Sequence, residues 1–335
     1  MLHRLLRGVV LIVAVCVGFS TISTRATATP NATPAADCDP AKGTCVFKPL
    51  PEPKPASYNQ TAITKIDLEK YPLVPEITEH VKQIYQEGLK KGNNIRIFSK
   101  IGDCMTATDD FMKPFSTTSY VLGDYDSLAK VIKVFAKVPA RGSDSTVDSF
   151  DNPGLAAVSG FNSAGVLDSI WSDPKFCKAD ESPLSCEYRL SKPGIALIMF
   201  GTNDLKSIQS DQFNFYLRRV VVQTANAGII PILSTFPVQP GFEKESDLFN
   251  QITVQIALDY DIPLMNLYAA LKPLPHQGVD PVNTTHMTKP DNGNAGDLSK
   301  DGLQFGYNVH NLLTLQSLEA VLKAVAPDLL DSATR

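Results

Sequence analysis

One run constrains the fold of this chain more than any other. Ile195-Ala196-Leu197-Ile198-Met199-Phe200 is continuously apolar and is stopped by Gly201. That is the mark of a strand buried on both faces, the kind found in parallel sheets covered by helices. The flanking sequence agrees. Apolar residues at Ile77, Val81, Ile84, Tyr85 and Leu89 have helical spacing, and Gly92-Asn93-Asn94 ends that helix before a strand, Ile95-Arg96-Ile97-Phe98. Leu128 to Phe135 repeats the helical pattern. Phe213 to Ala227 is a helix stopped by Gly228, and Ile229 to Leu233 is the next strand. Leu248 to Tyr260 is helical, Ile262 to Met265 a short strand, and Leu312 to Val325 a final amphipathic helix. Strand and helix alternate, so an α/β fold with a mostly parallel sheet and helices on both faces is expected. Sites in such sheets lie at the carboxyl ends of strands.

Composition narrows the class. With 43% hydrophobic and 20% charged residues, the chain is not disordered as a whole. Its 31 basic and 35 acidic residues are interspersed, so no basic field is present to hold a nucleic acid backbone. No phosphate loop of the G-x-G-x-x-G kind follows a strand, which excludes an ordinary nucleotide-binding domain.

The N-terminus reads as an export leader over residues 1–28. Arg4 and Arg7 precede an apolar stretch from Gly8 to Ser20, and Ala26-Thr27-Ala28 is an A-x-A cleavage signal. The stretch is short for a membrane span, so no stable membrane insertion is expected after cleavage and the protein is expected to be secreted or extracytoplasmic. Residues 29–60 are rich in proline and read as a linker or stalk, with one globular domain over 61–330. Export places the cysteines in an oxidising compartment. Loss of Cys16 leaves Cys38, Cys45, Cys104, Cys177 and Cys186, an odd set. The short loops closed by Cys38 with Cys45 and by Cys177 with Cys186 favour two local disulfides and leave Cys104 over.

Three strand ends carry polar groups where chemistry is expected: Ser99 to Thr106, Gly201-Thr202-Asn203-Asp204, and the region after Leu267 with His276, His286 and His310. Gly102-Asp103-Cys104 resembles the G-D-S nucleophile block of the SGNH (GDSL-type) hydrolases. Gly201-Thr202-Asn203-Asp204 is similar to their G-x-N-D block without change, and Gly160 stands between the two where that family keeps an oxyanion-hole glycine. The resemblance covers residues 92–326. It implies a flavodoxin-like three-layer α/β/α sandwich, hydrolysis or transfer of acyl esters, and no metal or other cofactor. It makes Cys104 the nucleophile, with the Gly160 N–H and the Asn203 amide as oxyanion donors. Asp103 and Asp204 are expected to shape their loops or cap helices.

The chain departs from the family twice. Cys104 replaces the serine; a thiol is a strong nucleophile once its proton is removed. The base block is ambiguous. Asp301-Gly302-Leu303-Gln304 has the family's aspartate and position but puts Gln304 where histidine belongs. Asn283-Thr284-Thr285-His286 keeps the histidine and replaces the aspartate by Asn283. A thiol makes the second alignment coherent, because a Cys–His pair can rest as thiolate and imidazolium with an asparagine orienting the ring. Asp280 is a second candidate for that orienting role, and His310 a second candidate base. The expected substrate is a small-molecule or glycan-linked acyl ester, with no nucleic acid partner. The alternative is a catalytically inactive binding module on the same fold at the cell surface, favoured if Gln304 occupies the base position.

Two further expectations concern the walls of the site. Phe111, Met112, Phe115 and Tyr120 follow the nucleophile and are candidates for an apolar acyl-side wall. Trp171, the only tryptophan, lies in a loop near Cys177 and leaves few aromatic platforms for a long polysaccharide. If Cys177 and Cys186 are bridged, Cys177→Ser should lower stability by roughly 2–3 kcal/mol for a loop of this length. A melting temperature unmoved by reduction would count against both local bridges.

Overall fold

The computed structural model describes residues 42, 46–55, 58–136, 138–142 and 146–333. The expected leader and the Cys38–Cys45 pair lie outside these. In chain order the main elements are α1 (Glu79–Lys90), β1 (Asn94–Gly102), α2 (Cys104–Ala107), α3 (Ala129–Phe135), α4 (Pro183–Ser191), β2 (Pro193–Met199), α5 (Asp204–Ser207), α6 (Ser210–Asn226), β3 (Ile230–Ser234), α7 (Glu243–Asp259), β4 (Leu264–Met265) and α8 (Gly306–Val325).

The sheet is parallel throughout, in the order β1-β2-β3-β4. All seven residues of β2 are buried, as its unbroken apolar run requires. Beyond β1 a further parallel bridge joins Gly102 to Ala157, with the Gly102 N–H donating to the Ala156 carbonyl and the Val158 N–H to the Gly102 carbonyl. The 156–158 segment thus stands where a second strand of the chain would stand. Counting it, the order becomes 2-1-3-4-5, the flavodoxin-like arrangement with its switch point between β1 and β2. Helices α1, α3 and α8 pack together on one face, and α4, α6 and α7 on the other. The three-layer α/β/α sandwich expected from the sequence is the observed fold.

Helix starts depart most from the apolar periodicity. α7 begins five residues before the expected Leu248, because its first turn is Glu243-Lys244-Glu245. Acidic residues there complement the helix dipole without adding to an apolar stripe. α8 begins six residues before Leu312, and its early turns bury Tyr307, Asn308, His310 and Asn311. Polar burial of that kind has no signature in a hydrophobic pattern.

Two anchors fasten the periphery. Cys177 and Cys186 form the expected disulfide, which ties the loop before α4 to the helix itself. Part of the proline-rich stretch lies against the domain: Phe47 packs on His80, and the Leu50 N–H and C=O both pair with the Asn226 side chain. Among the described residues, no helix is long and apolar enough to cross a membrane.

A buried carboxylate organises the interior of the α4 side. Glu187 on α4 accepts from Ser99 and Ser191 hydroxyls at 2.7 and 2.8 Å, from the Leu155 N–H at 2.9 Å, and from Arg141 at 3.0 Å. It joins β1, α4 and the 155–158 segment in one network. Removing one partner of a buried pair strands the other, so Glu187→Ala should cost about 3–5 kcal/mol. Chemical unfolding of that variant beside Glu187→Gln measures it; a loss under about 1 kcal/mol would show the network to be dispensable.

Candidate active site

The switch point between β1 and β2 brings the first two polar blocks together. Gly102 ends β1 in a space that admits no side chain: a Cβ there would fall 2.4 Å from both the Met199 carbonyl oxygen and the Thr106 hydroxyl. Asp103 then caps α2, its side chain accepting from the Met105 N–H at 3.0 Å. Cys104 is the first residue of that single turn and is the unbridged cysteine among the described residues. After β2, the Gly201–Asp204 turn opens α5. Asp204 accepts from the Ser163 N–H at 2.8 Å and the Ser163 hydroxyl at 2.6 Å, and through its other oxygen from the Gly201 N–H at 3.1 Å. This ties the loop that carries Gly160 to the turn that carries Asn203.

Gly160 is exposed and has φ of +89°, in the left-handed region where glycine is favoured. Asn203 is half-buried, and its amide donates to the Phe161 carbonyl at 2.9 Å. One N–H of that amide therefore braces the Gly160 loop. The two expected oxyanion donors are brought to the same loop, with Asn203 in part acting as its support.

The candidate base region reaches Cys104 through its backbone. Cys104 Sγ donates to the Thr285 carbonyl at 3.2 Å, one residue before His286. His286 Nδ1 pairs with the Tyr307 hydroxyl at 2.9 Å. Val279 and Met287 form an antiparallel bridge, and the loop they close is fixed to the start of α8. The Tyr307 N–H donates to the Thr288 carbonyl and the Gly306 N–H to the Thr288 hydroxyl. Lys289 also pairs with Asp110, from the segment after the nucleophile, at 3.0 Å.

Several expectations are corrected by this geometry. Asn283 does not hold the His286 ring: its side chain accepts from the Thr285 hydroxyl at 2.7 Å, and Tyr307 takes the orienting position. Asp280 instead shapes the loop, accepting from the Val282 and Asn283 N–H groups at 2.8 and 2.9 Å. Those N–H donors, then the His286 charge, hold its carboxyl below the usual range. Gln304 is exposed and donates to the Lys300 carbonyl. His310 is fully buried, stacked on Phe111 at 4.2 Å, and burial pushes its pKa down to about 3. A ring held neutral in that way is a poor proton acceptor at neutral pH. Phe111, Met112 and Phe115 are core residues with 2% or less of their surface exposed, not an acyl-side wall.

The electrostatics also revise the thiol. Burial, then the Asp103 carboxylate, pushes Cys104 up to about 11. A thiol that donates to the Thr285 carbonyl agrees with that direction, and a resting thiolate–imidazolium pair does not. Sequence reasoning passed over Tyr307, Thr285 and Ser163. Tyr307 had one available signal, its place three residues after Gln304 in the first turn of the final helix.

Two concavities adjoin the loops of this region. One of about 340 Å3, bounded by Val238, Pro240, Val279, Pro281 and Thr284, adjoins the His286 loop. The other, about 970 Å3, lies on the Gly160 side. Among the described residues no three His, Cys, Asp or Glu side chains converge as a metal site.

No protein-family model matches the chain, and no curated protein does. Solved structures similar to it include the psychrotrophic esterase EstA from Pseudoalteromonas sp., at 15% identity and a TM-score of 0.40, over 69% of this chain and 98% of that one. Another is Axe2, an acetylxylan esterase from Geobacillus stearothermophilus, at 15% identity and a TM-score of 0.40, over 68% of this chain and 96% of that one. A catalytic mutant of Axe2 gives 16% and 0.42.

The buried carboxylates make stability depend on pH. Burial, with the neighbouring Asp204 charge, raises Asp103 to about 7, and burial raises Asp204 to about 6. A raised carboxyl favours the folded state most when protonated. Its contribution is complete below the ordinary carboxylate range and is lost as pH climbs through the raised values. The stability of the wild type relative to Asp103→Asn should therefore fall by on the order of 1–3 kcal/mol between about pH 4 and about pH 7. Urea unfolding of both proteins across that range tests it; a difference that stays flat or grows would show that Asp103 ionises as freely as in water.

Proposed function

We propose that this protein is an SGNH-type hydrolase of acyl esters, an esterase or acyltransferase, that works through Cys104. The observation that carries the proposal is the contact of the Cys104 thiol with the Thr285 carbonyl, next to His286, whose Nδ1 pairs with the Tyr307 hydroxyl. In this reading His286 takes the thiol proton as Sγ attacks the acyl carbon. The carbonyl oxygen becomes an oxyanion met by the N–H groups of Cys104 and Gly160 and the free N–H of the Asn203 amide. Collapse expels the alkoxide, which takes the proton from His286 and leaves a Cys104 thioester. Water, deprotonated by His286, attacks the thioester, and the thiol leaves with that proton; an alcohol acceptor in place of water gives acyl transfer. Asp103 and Asp204 act through the backbone they hold, and Asn283 keeps the base loop in shape through Thr285.

The export leader over 1–28, the tether over 29–60 and the domain from about residue 61 complete the proposal, which places the enzyme outside the cytoplasm. Its substrate would be a small or glycan-linked acyl ester.

A second reading is favoured by the thiol itself. Cys104 is held protonated, and its proton points at a backbone carbonyl. A binding module that has lost catalysis would look the same.

Hydrolysis of a short activated ester by the purified protein separates the two. Cys104→Ala should abolish turnover with the fold intact by circular dichroism. His286→Ala should lower kcat by about 100-fold or more, the usual worth of a general base. Tyr307→Phe should lower it by about tenfold, with the rest of the site intact. Equal background rates in wild type and Cys104→Ala, across acetyl and butyryl esters, would sink the hydrolase reading.

A further inference from the structure

The chain has one tryptophan, and 62% of its surface is exposed. Indole is a large apolar group with much to gain from burial, so a lone tryptophan left in water on a well-held loop calls for a partner. Trp171 stands at the rim of the cleft of about 970 Å3. Neither Cys104 nor His286 lines that cleft. Its walls are the 158–171 loop, the first turn of α4 and the outer face of α6.

The backbone that bears the indole is braced. A Cβ added at Gly165 would fall 3.8 Å from Trp171 Cδ1 and 3.9 Å from Nε1, so the ring rests against that turn. Asn162 pins the turn, accepting from the Gly165 N–H and donating to the Ser207 hydroxyl, each at 2.8 Å. Asp168 caps the turn that bears Trp171, accepting from the Ile170 N–H at 3.1 Å. On the far side Ser172 donates to the Glu181 carbonyl, Glu181 pairs with Arg189, and the Cys177–Cys186 bridge closes the loop. Such bracing lowers the entropy lost when a ligand is gripped.

The lining selects a chemistry. The cleft presents one cation, Arg219, against the carboxylates of Asp168 and Asp180. A phosphate or sulfate group needs the opposite balance, with clustered cations. Hydroxyl and amide groups of Ser159, Ser169 and Gln223 interrupt the apolar surface of Val158, Phe161, Leu167 and Tyr216, which leaves no continuous apolar track for a lipid chain. An aromatic face beside hydroxyl, amide and carboxylate groups, with little net charge, suits a ring whose C–H face is apolar and whose edge carries hydroxyls.

We propose that the Trp171 cleft is a binding site for a neutral saccharide. Gly160 forms part of its wall, so a bound sugar would lie beside the candidate oxyanion loop. That the sugar is the alcohol portion of the ester rests on the hydrolase reading; that the cleft binds a sugar does not.

The single tryptophan reports on its own cleft. Purified Cys104→Ala protein is titrated with xylotetraose, cellotetraose and N-acetylchitotetraose, following tryptophan fluorescence and heat of binding, with inorganic phosphate as the control. At least one tetrasaccharide should change the fluorescence saturably, and phosphate should not. By calorimetry Trp171→Ala should weaken that binding by about tenfold or more, the scale of one aromatic contact, and Gln223→Ala should weaken it less. Silence of all three sugars, or an affinity unmoved by Trp171→Ala in a folded protein, would overturn the proposal. A fluorescence shift that appears with protein concentration alone would also overturn it and assign the patch to a protein contact. Sugar binding in a wild type that hydrolyses no ester would leave this site standing and remove the hydrolase reading. Ester hydrolysis without sugar binding would do the reverse.

Discussion

The carboxylate of Asp204 is the tie on which the strand-end loops depend. It gathers two N–H groups and a hydroxyl from two segments about forty residues apart in sequence, Ser163 and Gly201. Asparagine could not replace it without turning an N–H toward an N–H, because an amide has only one accepting end. Asp103 does the same one strand away, taking N–H groups from its own helix turn and from Asn203. Two buried acids at adjacent strand ends are costly, and their raised ionisation ranges are the sign of that cost. What they secure is position: the Gly160 loop, the Asn203 turn and the Cys104 turn are fixed relative to one another before any ligand arrives.

Much of this was legible in the chain because it lies in short backbone motifs. The unbroken run of β2, and the glycines that end β1 and β2, follow from burial and close approach, which leave marks in residue type. Long-range partners leave none. Ser163 is one serine among many until the fold sets it against Asp204. Tyr307 reads as one more aromatic in an apolar helix until the 279–288 loop folds back on it. The aromatic run after the nucleophile misleads for the converse reason. Phe111 and Phe115 are equally good as a wall or as core, and only the packing of His310 on Phe111 and of Phe150 on Phe115 decides for core. Gln304 and His286 could not be separated by spacing, since the choice rests on which loop the Cys104 turn touches.

The same acids bear on the choice of nucleophile and of the group behind the base. Asp103 already places a negative charge beside Cys104 and helps hold its thiol protonated. A carboxylate behind His286 would add another to a crowded negative region. Tyr307 supplies a hydrogen bond without one, and burial with the charges of Asp110 and Asp103 keeps it from ionising. In the proposed hydrolase the imidazole is thus aimed but not strengthened as a base by a charged partner. A serine hydroxyl would be too weak an acid for that arrangement, whereas a thiol surrenders its proton far more readily. The imidazolium formed during attack then lies in the field of Asp280, which favours it at that moment. In the proposed hydrolase a thiol nucleophile and an uncharged tyrosine behind the imidazole are on this account linked: each makes the other workable beside two buried carboxylates.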